Sequence, residues 1–246
     1  MVLHLFFIWL TKFLNISIPS YFYLMAHFTH HSEENYLKTL YKLRSNQVKK
    51  MNNTTLAKEL DLNPATVLEM VRKLAVKKLV QILSDKSIRL TEKGEKKALL
   101  IIRKHRLWEV FLTEKLQYNW NEVHVLAEQL EHIESVDLVD RLDAFLKFPT
   151  VDPHGDPIPD KNGNLKIKTT ISLDKALIKK NYTIVNLADT NDIFLQYLGE
   201  LKIKPGIKLK LLNRNEYDAT VSVIISKKTL QLSNKVAKNI LLELVN

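Results

Sequence analysis

Four side chains able to bind a metal ion, His124, Glu128, Glu131 and His132, fall within the stretch VHVLAEQLEHI from Val123 to Ile133. On a helix, steps of three, four and seven residues nearly close on a 3.6-residue turn, so the four share roughly a 100° arc. Val123, Leu126, Ala127, Leu130 and Ile133 lie elsewhere, mostly on the opposite side. A second pair, His105 and Glu109 of RKHRLWEVFL, has the same i, i+4 spacing on an earlier helix with apolar Leu107, Val110, Phe111 and Leu112. Two such stripes facing one another would enclose a cation. Carboxylate and imidazole without thiolate suit borderline to hard divalent ions: Mn2+, Fe2+, Co2+ or Zn2+. A solvated polar helix face uses the same residue types, and from these residues alone both readings stay open.

The elements that must position these residues belong to a chain of 246 residues, 46% of them hydrophobic, enough for one large core or two to three small ones. A net charge of +10 and a pI near 9.5 point to an anionic partner, nucleic acid before membrane. The absence of cysteine excludes disulfides, thiol catalysis and Cys-type zinc sites, and fits a reducing cytoplasm. A metal-dependent hydrolase is the enzyme alternative, but HEXXH, a nucleophile elbow and a Gly-rich phosphate loop are all missing, so the expectation is no enzyme. Residues 1–24 form an apolar leader whose unbroken run is short for a membrane span and which lacks a basic start and a small-residue cleavage site. Met25 stands just before the first amphipathic patterning, so translation is expected to start there, with no membrane role.

In chain order, Ser32 to about Arg44 has helical spacing, with Ser32 as a candidate N-cap. Thr54 to Leu60 and Pro64 to Lys77 are two helices separated by Asp61-Leu62-Asn63, with Asn63 as N-cap and Pro64 as first helical residue. They read as a helix-turn-helix. Leu79 to Leu83 and Ser87 to Leu90 alternate as strands around Ser84-Asp85-Lys86, a wing, and Thr91-Glu92-Lys93-Gly94 ends the unit. Further helices are expected at Glu95 to Lys115, Asn119 to Ile133 and Val136 to Leu146; in the last, Val136, Val139, Leu142 and Phe145 form an apolar stripe suited to a homodimer face. Residues 148–164, with four of the seven prolines, form a turn-rich connection. Short alternating strands follow, including Ile207 to Leu212, Ala219 to Ile225 and Leu230 to Leu232, in a small β domain.

SEENYLKTLYKL, LAKELDLNPATVLEMVRKL, LVQILSDKSIRLTEKG, RKHRLWEVFL, VHVLAEQLEHI and DPHGDPIP together resemble the diphtheria toxin repressor and manganese transport regulator family of metal-dependent transcriptional repressors, from about Ser32 to Pro159. LQYLGELKIKPGIKLKLL looks like the family's SH3-like, ferrous iron transport A-type module. The resemblance implies that Glu128, Glu131 and His132 hold a primary regulatory metal and that His105, Glu109 and His124 form an ancillary site. Glu128 stands where iron-sensing members carry cysteine, which looks like the manganese-sensing branch. Asn35 stands where the family places a methionine or aspartate ligand, and its amide oxygen is a weaker donor. Asp192 or Asp189 lies near the position of a further ligand from the last domain. Asn63, Ala65, Thr66 and Glu69 would meet base edges, while Arg72, Lys86 and Arg89 would contact phosphates.

The expectation is therefore a mainly α chain with small β elements. It divides into the leader at 1–24, a winged helix-turn-helix at 25–95, a helical metal-binding and dimerisation domain at 96–150, a linker at 151–168 and an SH3-like domain at 169–246. Its function would be Mn2+- or Fe2+-dependent repression of metal-homeostasis genes, with Zn2+ or Co2+ able to substitute in vitro. It would act as a cytoplasmic homodimer on a double-stranded, palindromic operator. The alternative is a winged-helix regulator that senses no metal.

Overall fold

A computed structural model describes residues 33–45, 48 and 50–245, and the chain divides into two compact units after Ile101. The leader, Met25 and the Ser32 cap lie outside the described residues.

In the first unit, residues 33–45 form helix α1, followed by α2 (Asn53–Leu60), α3 (Pro64–Val76) and the hairpin β1 (Val80–Ile82) and β2 (Ile88–Leu90). Asn52 caps α2 by accepting from the Thr55 N–H, and Asn63 caps α3 by accepting from Ala65, with Pro64 at the first helical position. Asp61, at φ 53°, turns the chain between the two helices. The 3.6-residue spacing of Tyr36, Leu37, Leu40 and Leu43 buries one face of α1 against Leu56 of α2 and Val67, Val71 and Leu74 of α3. Leu79, Val80 and Ile88 close this core beneath the wing. Buried Glu33 holds Lys77 at 2.7 Å and Lys73 at 3.4 Å, tying α3 to α1. These contacts outweigh the cost of burying Glu33 and keep its carboxyl below its ordinary pKa.

Helix α4 (Glu92–Glu114) begins earlier than its sequence periodicity indicates. Thr91 accepts from the Gly94 N–H, so Thr91 to Gly94 starts the helix instead of ending the wing. Gly94 is required there because a Cβ would lie 1.9 Å from the Leu79 carbonyl oxygen.

The second unit contains the later part of α4, α5 (Val123–Leu130) and α6 (Val136–Phe145), with α4 and α6 packed around Leu107, Val110, Val139, Leu142 and Leu146. Its SH3-like domain is a six-stranded antiparallel sheet in the order β3-β8-β4-β5-β6-β7. The strands are β3 (Ile171–Ser172), β4 (Asn181–Leu187), β5 (Lys208–Arg214), β6 (Val221–Ile225), β7 (Lys228–Leu232) and β8 (Ile240–Leu244); α7 (Asp192–Glu200) and α8 (Asn234–Lys238) are its helices. α5 is shorter than the expected Asn119 to Ile133, because residues 120–122 form a turn and the helix ends at Leu130. The α6 stripe splits: Val139 and Leu142 are core, whereas Val136 and Phe145 are 73% and 61% exposed.

Leu74 is fully buried at the centre of the first core. Leu74→Ala is expected to cost about 2–5 kcal/mol, measured by urea unfolding followed by circular dichroism.

Candidate metal centre and nucleic-acid interface

Two arginines fix the rotation of α4 about its axis. Buried Arg103 reaches Asp143 at 3.0 Å and Asp140 at 3.3 Å on α6. Arg106 lies 3.5 Å from Asp152 and 3.7 Å from Asp156 in the turn-rich connection. His105 and Glu109 thereby point at α5 and at residues 152–154. Breaking a buried pair of this kind costs about 3–5 kcal/mol, so the rotation is strongly held.

His105 is the hub. Its Nδ1 lies 2.6 Å from Glu131 Oε2, and its Nε2 lies 3.0 Å from Glu109 Oε1 and 3.1 Å from His124 Nδ1. A ring facing a carboxylate from each nitrogen donates to both only when doubly protonated. His124 Nδ1 is also 3.3 Å from Glu109, and its Nε2 is 3.5 Å from Glu128. Glu131 is fully buried and its Oε1 lies 3.9 Å from His132 Nε2. Because α5 has ended at Leu130, Glu131 is the helix cap and His132 belongs to the turn beyond it. Hydrogen bonds thus join His105, Glu109, His124 and Glu131 across the two sites that the resemblance assigns, with Glu128 and His132 at ion-pair distance.

The structure extends this network to Asp152 and His154, which the reading of candidate ligands passed over. Potential ligand atoms of Glu109, Asp152 and His154 lie within 4.8 Å of one another, as do those of His105, His124 and Glu128. Asp152 and His154 come from a loop after α6, so no helical period announces them; their Asp-x-His spacing in DPHGDPIP is the available signal. Burial works to raise the Glu109 pKa, but hydrogen bonds from His105 and His124 and the nearby His105 and His154 rings together hold it far below the carboxylate range. Asp152 goes the other way: burial, then the Asp156 and Glu109 charges, push it well above.

His154 Nε2 is 2.8 Å from the Trp120 carbonyl, and the two rings stack with centroids 5.7 Å apart. Trp120 in turn packs on the core of the β domain. Gly155 backs directly onto β4, where a Cβ would lie 2.0 Å from the Val185 oxygen, and Asn186 donates to Asp156 at 3.0 Å.

Asn35 lies on α1, and its Oδ1 is buried with no hydrogen-bond partner among the described residues. Asp192 is exposed at the start of α7, and both oxygens of Asp189 accept from Asn191; neither belongs to either cluster. Nitrogen and oxygen donors, dominated by carboxylate and imidazole, fit Mn2+ or Fe2+ and also admit Zn2+ or Co2+.

On the first unit, Asn63, Ala65, Thr66, Glu69 and Arg72 are all exposed along the start of α3, and Lys86 and Arg89 are exposed on the wing. Asn63 spends its amide oxygen on the α3 cap, so its NH2 is the group left to face a base. Lys86, at φ 62°, occupies the turn that Asp85 closes by accepting from Ser87.

Three family descriptions match in order: "Iron dependent repressor, N-terminal DNA binding domain" at residues 28–88, "Iron dependent repressor, metal binding and dimerisation domain" at 91–160, and "FeoA domain" at 171–244. The chain is 37% identical over 126 residues to the iron-dependent repressor IdeR of Mycobacterium tuberculosis, a match covering 51% of this chain and 54% of that protein. The aligned part therefore spans about half the length of that relative. It is 28% identical over 221 residues to the diphtheria toxin repressor of Corynebacterium diphtheriae, covering 85% and 96%. A solved manganese-dependent transcriptional repressor in complex with manganese superposes with a TM-score of 0.77 at 33% identity, covering 87% of this chain and all of that one.

A metal ion held by Asp152 would require the carboxylate, so its raised pKa would make binding release a proton and tighten as pH rises through that pKa. In the metal-free protein the same group contributes stability at low pH that is lost as pH rises. Calorimetric titration with Mn2+ in buffers of different ionisation enthalpy is expected to show fewer protons released by Asp152→Asn than by the unsubstituted protein. Binding at His154 is also expected to change tryptophan emission through the stacked Trp120, and Trp120→Phe to lose that change in a fluorescence titration.

Proposed function

The chain belongs to the diphtheria toxin repressor and manganese transport regulator family of metal-dependent repressors, and from this premise we propose that it represses metal-homeostasis genes by binding DNA when Mn2+ or Fe2+ is plentiful. The observation that carries this reading is the occurrence in one chain of an exposed helix-turn-helix with a wing and a buried carboxylate and imidazole network. Helix α4 opens one residue after the wing and carries His105 and Glu109 in its second half.

Thr66, Ala65 and the Asn63 amide would meet base edges, with Glu69 beside them, while Arg72, Lys86 and Arg89 would hold phosphates. Lys73 and Lys77 on α3 are occupied by Glu33. Glu128, Glu131 and His132, with the Asn35 amide oxygen, would serve the regulatory ion, whereas His105, Glu109 and His124, joined by Asp152 and His154, would serve the ancillary one. A bound divalent cation supplies the positive charge that this many clustered carboxylates require. His105 would offer the cation a ring nitrogen, Arg103 and Arg106 fix the rotation of α4 about its axis, and the Trp120 stack orients His154. The Glu128 carboxylate favours the harder ion and supports Mn2+. Exposed Val136 and Phe145, with Phe148 at 67% exposure, support an isologous homodimer and with it a palindromic operator, and the cysteine-free sequence fits a cytoplasmic location.

Fluorescence anisotropy on DNA from the gene's own upstream region tests the proposal. Mn2+ is expected to tighten binding roughly 5- to 150-fold over chelator, the usual range of allosteric coupling. Glu131→Gln with His132→Ala is expected to erase that gain while circular dichroism stays native. Equal binding in chelator by the unsubstituted protein would favour a regulator that senses no metal.

A further inference from the structure

Positive charge is unevenly shared along this chain. Residues 161–246 carry 15 lysines and arginines against 7 aspartates and glutamates, a net of +8, while residues 91–160 carry 9 against 14, a net of −5. Residues 33–90, which hold the helix-turn-helix and wing, carry 12 against 6, a net of +6. Three of those lysines, Lys161, Lys166 and Lys168, precede the β domain, which by itself carries 12 against 7, a net of +5 close to that of the helix-turn-helix and wing.

Two of its lysines share the outer side of the sheet, and four more lie exposed at its margin. In β5, Leu209 and Leu211 are buried, so alternation turns Lys208 and Lys210 to solvent. Lys210 pairs with Asn181 of β4 and Ile224 of β6, and Ile224 pairs with Thr229 of β7. The surroundings of the two lysines are thus neutral. At the margin, backbone hydrogen bonds join Lys179 and Lys180 to Leu211, and the turn at Ser226 and Lys227, both at positive φ, sets Lys227 at the edge; Lys180 and Lys228, in line with buried Leu211 and Ile225, are exposed at the ends of the sheet. All six lysines are exposed, and none forms an ion pair among the described residues. Glu243, opposite Thr183 on this face, is neutralised by Lys168 at 3.0 Å. Asp189, Asp192 and Glu200 lie at or beside α7, and Glu216 and Asp218 lie in the β5–β6 hairpin.

We infer that this lysine face is a second, sequence-independent contact to the phosphate backbone of duplex DNA beside the segment read by the helix-turn-helix. The inference rests on the DNA-binding reading above. Lysines are flexible point charges that suit phosphates and carry no base information. The paired positions on the face include no aromatic ring on which an unpaired base would stack, which favours duplex over single strand. The helix-turn-helix of the same chain raises the local concentration of this polyanion, an advantage that no other anionic partner would share.

The test uses the full chain with Mn2+ and its Lys208→Gln, Lys210→Gln, Lys227→Gln, Lys228→Gln variant. The probes are an operator duplex trimmed to the helix-turn-helix footprint, the same duplex extended by about two helical turns on each side, and an unrelated duplex of the extended length. The unsubstituted protein is expected to bind the extended operator at least about tenfold more tightly than the trimmed one at low salt. The variant should lose this preference, bind the trimmed operator unchanged, and show a log-affinity against log-salt slope smaller by about 2 to 4 on both long duplexes. A variant that keeps the original length preference and salt slopes overturns the inference, as does an unsubstituted protein indifferent to length. Loss of Mn2+-dependent preference for operator over unrelated sequence would instead defeat the repressor reading, and the unrelated duplex would still report on the lysine face.

Discussion

A buried imidazole with a carboxylate on each ring nitrogen, Glu131 at 2.6 Å and Glu109 at 3.0 Å from His105, sets the electrostatic problem around which the second unit is built. Carboxylates removed from water repel one another and must be offset by positive charge within a few ångströms. Glu109 meets that demand with histidine partners and stays ionised, whereas Asp152, equally buried, is driven towards its protonated form. Neighbouring carboxyls are thus pushed in opposite directions, one held down by its imidazole partners and the other raised by burial and by adjacent carboxylates. Of the two arginines on this part of α4, Arg103 is spent on Asp143 and Asp140 of α6, whereas Arg106 reaches the edge of the centre at Asp152.

The scaffold serves that centre by recruiting from three separate places. α4 supplies His105 and Glu109, α5 and the turn after it supply His124, Glu128, Glu131 and His132, and the loop after α6 supplies Asp152 and His154. The loop is pinned on its far side by β4, through Gly155 and Asn186, and by Trp120, so the β domain is mechanically part of the centre without donating a ligand to either cluster. α4 begins one residue after the wing and runs across the boundary between the two units.

Much of this was legible in the sequence where local rules decide. Asn63-Pro64 announces the start of the recognition helix because capping and proline act within one turn. The alternation around Ser84 to Lys86 announces the wing, and the i, i+4 pairs announce the imidazole and carboxylate faces. What stayed hidden depends on contacts distant in sequence. Thr91 looks like the end of the wing until the Leu79 carbonyl is seen to require Gly94 within a helix. His132 looks helical until the chain leaves α5 at Leu130. Asp152 and His154 belong to the centre only because a loop folds back onto α4, and the α6 stripe divides into core and exposed halves according to which neighbours reach it. Periodicity reports a face, but it does not report what covers that face.

X-ray diffraction at the manganese absorption edge, from crystals of the chain grown with Mn2+, addresses the claim that the buried network is a metal centre. Anomalous peaks enclosed by His105, Glu109, His124, Glu128, Glu131, His132, Asp152 and His154 are the result this structure requires. Peaks confined to exposed carboxylates, or none, with the His105 contacts to Glu131 and Glu109 unchanged, would mean that the network is held by protons alone and that it is no metal switch.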